Sequence, residues 1–258
     1  MQDSRGHGAR AALELNGVTK AFGGLVAVAD VTLSIAERER RALIGPNGAG
    51  KTTLFHLVSG ELSVTRGRIR LFGEDVTRLP PNARVGRGLG RTYQITNIFP
   101  ALSVEDNVML AAMGLGATKF DLLRPVSRRG HLAERAEQAL RAVALQDYAR
   151  VPARELSHGA QRQLELALAL ASRPRVLLLD EPAAGLSAGE RVLMINLVRG
   201  LPADLTLVII EHDMDLVLNL VDRVTCLHNG RVIADESPAT IRHNQTVQDI
   251  YLGVGQRA

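Results

Sequence analysis

Tryptophan is absent from this chain of 258 residues, and aromatic residues make up only 3% of it. A surface that grips single-stranded nucleic acid stacks bases on exposed aromatics, so the composition fits that class poorly. Cysteine occurs once, as Cys226, which excludes an intrachain disulfide and fits a reducing compartment. No uninterrupted apolar run approaches the roughly 20 residues a bilayer-spanning helix needs. Two apolar stretches, Leu164–Ala171 and Leu205–Ile210, each broken by one polar residue, have the lengths of a core helix and a core strand. Met1–Arg10 carries charge with no apolar segment behind it, so no secretory signal is expected. Any membrane role would be that of a bound partner. Lysine is scarce too: only Lys20, Lys51 and Lys119 among 31 basic residues, the rest being arginine spread along the chain. The net charge of +4 is therefore no concentrated basic face. Arg124, Arg128 and Arg129 form the one short cluster, for which a solvated loop is the favoured reading.

What is abundant is aliphatic. A hydrophobic content of 46% with so few rings suits an α/β core, and the length suits one large domain with subdivisions. After a polar tail over residues 1–10, residues 12–35 alternate in the manner of antiparallel strands, with Leu13, Leu15 and Val18, then Val31, Leu33 and Ile35. Ala42-Leu43-Ile44 reads as a short buried strand, and Lys51–Ser59 as a helix closed by Gly60 in a left-handed cap. Ile69 and Leu71, between arginines, read as a further strand. Helical patterns cover Val104–Met113, Leu132–Leu145 and Gln161–Ala171. Strand patterns return at Val176–Leu179, Leu205–Ile210 and Val224–Leu227. Asn229-Gly230 marks a hairpin into Arg231–Ala234, and Ser237-Pro238 opens a short helix. The expectation is a parallel-sheet core over 11–93 and 174–258, with an antiparallel β subdomain, and a helical subdomain over 94–173.

Gly45-Pro46-Asn47-Gly48-Ala49-Gly50-Lys51-Thr52 fits G-x-x-x-x-G-K-[ST] with a strand before it and a helix after it. The glycines let successive backbone N–H groups curl around phosphate oxygens, and the following helix adds its positive end. Lys51 supplies a point charge to the β- and γ-phosphates of ATP, Thr52 a hydroxyl for Mg²⁺, and Thr53 completes the expected contact set. Val176–Leu179 delivers Asp180 and Glu181 to the end of a buried strand. Asp180 is the candidate Mg²⁺ holder and Glu181 the candidate general base for an attacking water. His212, after the apolar strand Leu207–Ile210, is placed to touch the γ-phosphate and orient that water. Gln94, at the edge of the helical stretch, can touch Mg²⁺ or the water; alone it is a weak signal.

Together these residues resemble an ABC-type ATPase from about Leu13 to Leu252. Phe22 stands in the place of the adenine-stacking aromatic, and Leu156-Ser157-His158-Gly159-Ala160-Gln161 in that of the signature. Phe22-Gly23-Gly24-Leu25, Arg91-Thr92-Tyr93-Gln94, Phe99-Pro100, Leu102–Asn107, Asp180–Leu186, Glu211–Met214 and the ending Tyr251-Leu252-Gly253 narrow the likeness. They are similar to the ATP-binding subunits of high-affinity branched-chain amino acid importers. The resemblance implies a P-loop NTPase fold, RecA-like, with the helical segment signalling to permease subunits. It implies that Ser157, Gly159 and Gln161 serve the nucleotide of a facing cassette, so that ATP closes a homo- or heterodimer. It also implies a peripheral protein on the cytoplasmic face of the inner membrane, an extracytoplasmic solute-binding protein further out, and no nucleic-acid partner. ATPases of urea, amide or lipopolysaccharide-export systems share these signatures; a soluble ABC ATPase acting on nucleic acid lacks support. Ile98 and Phe99 are candidate permease contacts, for which ordinary loop packing accounts equally. Three residues depart from the family pattern: His158, Ala160, and Ser187, where Asp or Asn is usual. The last puts the tightness of communication across the dimer in question.

Overall fold

The computed structural model describes residues 10–92, 98–113, 127–211 and 217–252. Its strands are β1 Ala11–Phe22, β2 Leu25–Ala36, β3 Arg40–Ile44, β4 Arg66–Leu71, β5 Glu74–Asp75, β6 Leu89–Arg91, β7 Val176–Asp180, β8 Thr206–Ile210, β9 Arg223–His228 and β10 Arg231–Glu236. Its helices are α1 Lys51–Ser59, α2 Pro81–Val85, α3 Val104–Met113, α4 Ser127–Ala142, α5 His158–Ala171, α6 Ala188–Arg199, α7 Pro238–Ile241 and α8 Gln245–Leu252. They fall into two compact units, one of Met1–Pro81 with Ala203–Ala258, the other of Asn82–Pro202.

The first unit holds an antiparallel sheet in the order β2-β1-β4-β5. Its register sets Leu15 opposite both Leu33 and Ile69, and Leu13 opposite both Ile35 and Leu71. All six side chains are buried, each worth about 1.5–3 kcal/mol of apolar transfer. A second set of strands runs β10-β9-β3-β8, with β3 parallel to β8 and β9. In β3, Ala42, Leu43 and Ile44 are all buried, as a strand covered on both faces must be. The exception, Arg41, is 2% exposed and is held by Glu39 Oε1 at 2.6 Å, Asp235 Oδ1 at 2.9 Å and Thr225 Oγ1 at 3.1 Å. A buried guanidinium so surrounded carries no desolvated, unpaired charge. Asn229 and Gly230, with φ of 47° and 74°, make the tight turn from β9 to β10. Ser237 caps α7 by accepting the Thr240 N–H, and Pro238 follows it.

The second unit pairs β6 with β7 in parallel and packs α3, α4 and α5 together. Asn107, 2% exposed, anchors the chain entering α3: its Oδ1 accepts the Phe99 N–H at 2.7 Å, and its Nδ2 donates to the Phe99 and Ser103 carbonyls at 3.1 and 2.9 Å. Ser103 caps the same helix by accepting the Asp106 N–H at 3.0 Å. Among the described residues no helix is long and apolar enough to cross a membrane.

Several elements differ from the sequence reading. Helix α4 begins at Ser127 rather than Leu132 and ends at Ala142 rather than Leu145. Helix α5 begins at His158, three residues before the apolar pattern at Gln161, with Ser157 as its N-cap, as its place at the helix start implies. Strand β6 and helices α2, α6 and α8 were not anticipated at all. β6 is three residues long with a glycine at its centre, and only pairing with β7 makes it a strand.

Candidate functional site

In the first unit, β3 ends at Ile44 and the chain enters the glycine loop. Gly45 has φ of 147°, and a Cβ there would lie 2.2 Å from the Leu227 carbonyl oxygen, so no other residue fits without moving β9. Gly50 caps α1 at φ of 101°; a Cβ on it would stand 2.5 Å from the Ala27 carbonyl oxygen. Gly48, with φ of 79°, faces open space instead. The loop is thus pressed from behind by β9 and β2 and left clear in front, the shape an entering phosphate group requires. Lys51 is 7% exposed, and its ammonium donates to the Gly45 and Pro46 carbonyls at 2.6 and 3.0 Å. The charge is therefore pre-placed across the mouth of its own loop. Ala49 is tied in at both ends, its N–H to the Pro46 carbonyl at 3.1 Å and its carbonyl to the Gly230 N–H at 2.9 Å. The Gly45 N–H donates to the Tyr251 hydroxyl at 2.8 Å. Cys226, opposite Ile44 in β9, has its thiol pushed up to about 11 by burial despite the Lys51 charge. It is a neutral packing group. Thr52 and Thr53 follow half-buried in the first turn of α1, while Asn47 is exposed on the loop.

Phe22 lies at the end of β1 in the hairpin to β2, 46% exposed, with the Lys20 ammonium 4.9 Å from its ring centre. An aromatic with an open face and a cation beside it suits a planar base.

In the second unit every residue of β7 is buried, Asp180 included. Arg91 Nη2 stands 3.5 Å from Asp180 Oδ2, and the Thr92 N–H donates to the Leu178 carbonyl at 3.0 Å. Glu181 has φ of 46°, a left-handed conformation that costs a non-glycine residue on the order of 1–3 kcal/mol. That backbone breaks the strand's alternation immediately after Asp180, and such strain gathers where a side chain must be aimed.

Ser157 caps α5, accepting the Ala160 N–H at 3.2 Å. The Gly159 N–H donates to Glu190 Oε1 at 3.2 Å, and a Cβ on Gly159 would lie 2.3 Å from that oxygen. Glu190 belongs to a capping box: its Oε2 accepts the Ser187 N–H at 3.0 Å and the Ser187 hydroxyl at 2.7 Å. The Ser187 hydroxyl, then its N–H, hold the Glu190 carboxyl below the usual range, with Gly159 and His158 adding to the effect. Gln161 is turned onto its own chain, Nε2 donating to the Leu156 carbonyl at 3.2 Å.

Within the first unit the structure gathers Gly45 through Thr53; within the second, Asp180 adjoins Glu181, and Ser157 adjoins Gly159. Gln94 and His212 lie outside the described residues, as does Arg124. Sequence reading missed Glu190, and it took Tyr251 as part of a family ending without its contact to the loop. The spacing Ser187-Ala188-Gly189-Glu190 is itself a capping-box signal. No local signal pointed to Tyr251, since its partner Gly45 is 206 residues away.

A glycine loop between a buried strand and a helix, with the lysine poised across it, defines a P-loop nucleotide-binding protein. The model of the family described as ABC transporter matches residues 28–184. Over 251 residues the chain is 39% identical to the high-affinity branched-chain amino acid transport ATP-binding protein BraF of Pseudomonas aeruginosa, covering 95% of this chain and 98% of that protein. It is 36% identical over 248 residues to the corresponding LivG protein of Escherichia coli K12, covering 93% and 97%. The ADP conformation of MJ1267, an ATP-binding cassette of an ABC transporter, superposes with a TM-score of 0.83 at 28% identity, covering 94% of this chain and 99% of that one. The chain belongs to the ABC transporter family, as an ATP-binding cassette on an α/β P-loop NTPase fold.

Proposed function

We propose that this cassette is the ATP-hydrolysing subunit of an importer of branched-chain or related amino acids. It works on the cytoplasmic face of the membrane, paired with a second cassette, the same or related, against permease chains fed by an extracytoplasmic binding protein. The observation that carries the ATPase half is the loop Gly45–Thr52, walled behind, open at Gly48 and crossed by the Lys51 ammonium. The importer half is supported by the near full-length likeness to BraF and LivG. Urea, amide or lipopolysaccharide systems would use the same machinery, and no residue here favours them.

In this reading the loop N–H groups and Lys51 hold the β- and γ-phosphates, and Phe22 stacks on the adenine. Thr52 and Asp180, with Gln94, are the residues that would hold Mg²⁺, which when bound offsets phosphate charge. Glu181 accepts a proton as water attacks the γ-phosphorus; the bond to the β-phosphate oxygen breaks, leaving ADP and phosphate. His212 and Gln94 orient the water. Ser157 and the first turn of α5 cap the γ-phosphate of the facing cassette, so ATP favours the closed pair and hydrolysis releases it.

Glu181→Gln tests this. With MgATP, the variant is expected to accumulate as a dimer in light scattering and to hydrolyse at least a hundredfold more slowly, while Lys51→Ala neither binds nor dimerises. A Glu181→Gln protein that stays monomeric with ATP, alone and mixed with a second cassette, overturns the scheme.

A further inference from the structure

The chain ends its described course in α8, eight residues long and too short to be stable on its own. It is held by Val247, 3% exposed, and by Asn244, whose Oδ1 accepts the Val247 N–H at 3.3 Å as the helix begins. Its third anchor is of a different kind. Tyr251 Oη accepts the N–H of Gly45, the first residue of the phosphate loop, at 2.8 Å.

Gly45 is buried and pinned: Leu227 blocks it on the side where a Cβ would stand, and Lys51 draws on its carbonyl. Its N–H points to where β3 has ended, and a buried N–H needs an acceptor. A carboxylate placed there would supply one, but would set a negative charge beside a loop built to receive phosphates. A phenol supplies the oxygen without the charge. Burial pushes the Tyr251 hydroxyl up to about 12, so it stays protonated throughout the neutral range.

We propose that Tyr251 is a positioning residue for the phosphate loop, its hydroxyl setting the entry angle at Gly45 so that nucleotide affinity depends on the docked C-terminal helix. The inference deepens the nucleotide reading of Gly45–Thr52 and rests on it. Because the coupling is an equilibrium one, it runs both ways: a bound nucleotide also holds α8 in place. Tyr251 touches neither the reacting atoms nor, by this argument, the attacking water, so its loss is felt in binding and not in the chemical step.

The test titrates fluorescently labelled ADP against the full-length protein, the Tyr251→Phe variant and the Tyr251→Ala variant, and measures hydrolysis of ATP in parallel. Losing one backbone bond to a neutral acceptor predicts about a three- to tenfold weaker Kd for Tyr251→Phe. KM for ATP rises by the same factor, and kcat at saturation changes less than twofold. Hydrogen exchange in residues 245–252 of the unaltered protein is expected to slow when ADP is added. Wild-type affinity in Tyr251→Phe with weakened binding only in Tyr251→Ala would assign the effect to ring packing and overturn the proposal. A fall in kcat at unchanged KM overturns it too, as does exchange in α8 that ignores ADP. If the unaltered protein binds no adenine nucleotide, the nucleotide reading itself fails and takes this inference with it, an outcome distinct from the others.

Discussion

Glu190 holds three donors with one carboxylate: the hydroxyl and N–H of Ser187 on its own helix, and the N–H of Gly159 on another. The resemblance implies that Gly159 serves the nucleotide of a facing cassette; within its own chain the group that lies against it is Glu190. Gly159→Ala is expected to expel that carboxylate, since a Cβ would stand 2.3 Å from Oε1. Thermal melts of Gly159→Ala, Glu190→Ala and the double variant would show it, the double losing clearly less than the sum of the singles. Equal additivity would mean the two residues do not communicate. The linkage sign follows from the lowered carboxyl of Glu190, whose ordinary value is 4.5. Its stabilising contribution is complete above that value and is lost as pH falls through the lower, folded value. The difference in melting temperature between Glu190→Ala and the unaltered protein should therefore shrink only on acidification below about pH 4.5.

Helices were legible where a cap and a broad apolar stripe coincide. α3 ran over Val104–Met113 as expected, and α1 with its left-handed Gly60 did likewise. α6 escaped because its stripe is narrow. Met194 and Val198 are its buried residues, whereas Val192 and Leu193 are 58% and 42% exposed. The helix is defined instead by its start, the capping box of Ser187 and Glu190. Ser187 is thus more than a departure from a family pattern: Ser, Asp and Asn are near-equal caps, so the element survives the exchange. Ser187→Ala is expected to cost about 1 kcal/mol, a melting shift of about 2–4 °C for a chain of this size, while Ser187→Asp keeps the cap on the Glu190 N–H but loses the hydroxyl donor to Glu190 Oε2 and recovers only part of that loss. Equal melting of all three proteins would show that the cap does not hold α6.

At the scale of the whole chain, partnership is what remains to be supplied. No described helix is long and apolar enough to cross a membrane, yet Phe99 is 58% exposed on the segment that enters α3. A ring left open there, on a backbone clamped by Asn107, is the candidate permease contact to test. Co-expression with permease chains is expected to bring the cassette down with membranes, and Phe99→Ala to reduce that fraction severalfold without lowering hydrolysis in solution. Sedimentation that is the same with and without permeases would argue against the assembly.

The glycine loop, the acidic strand end and the Ser237-Pro238 helix start could be read in order along the chain because each is a local device. Their chemistry depends on neighbours within a few residues and on the periods of helix and strand. Three features needed the folded molecule. One is the left-handed backbone of Glu181. The others are the reach of Glu190 to Gly159 and the hydroxyl that Tyr251 lends to Gly45, contacts between residues 31 and 206 positions apart. Hydrophobic patterning says which face is buried; it does not say which distant polar atom will satisfy a given N–H, because that is settled only when separate elements come to rest against each other.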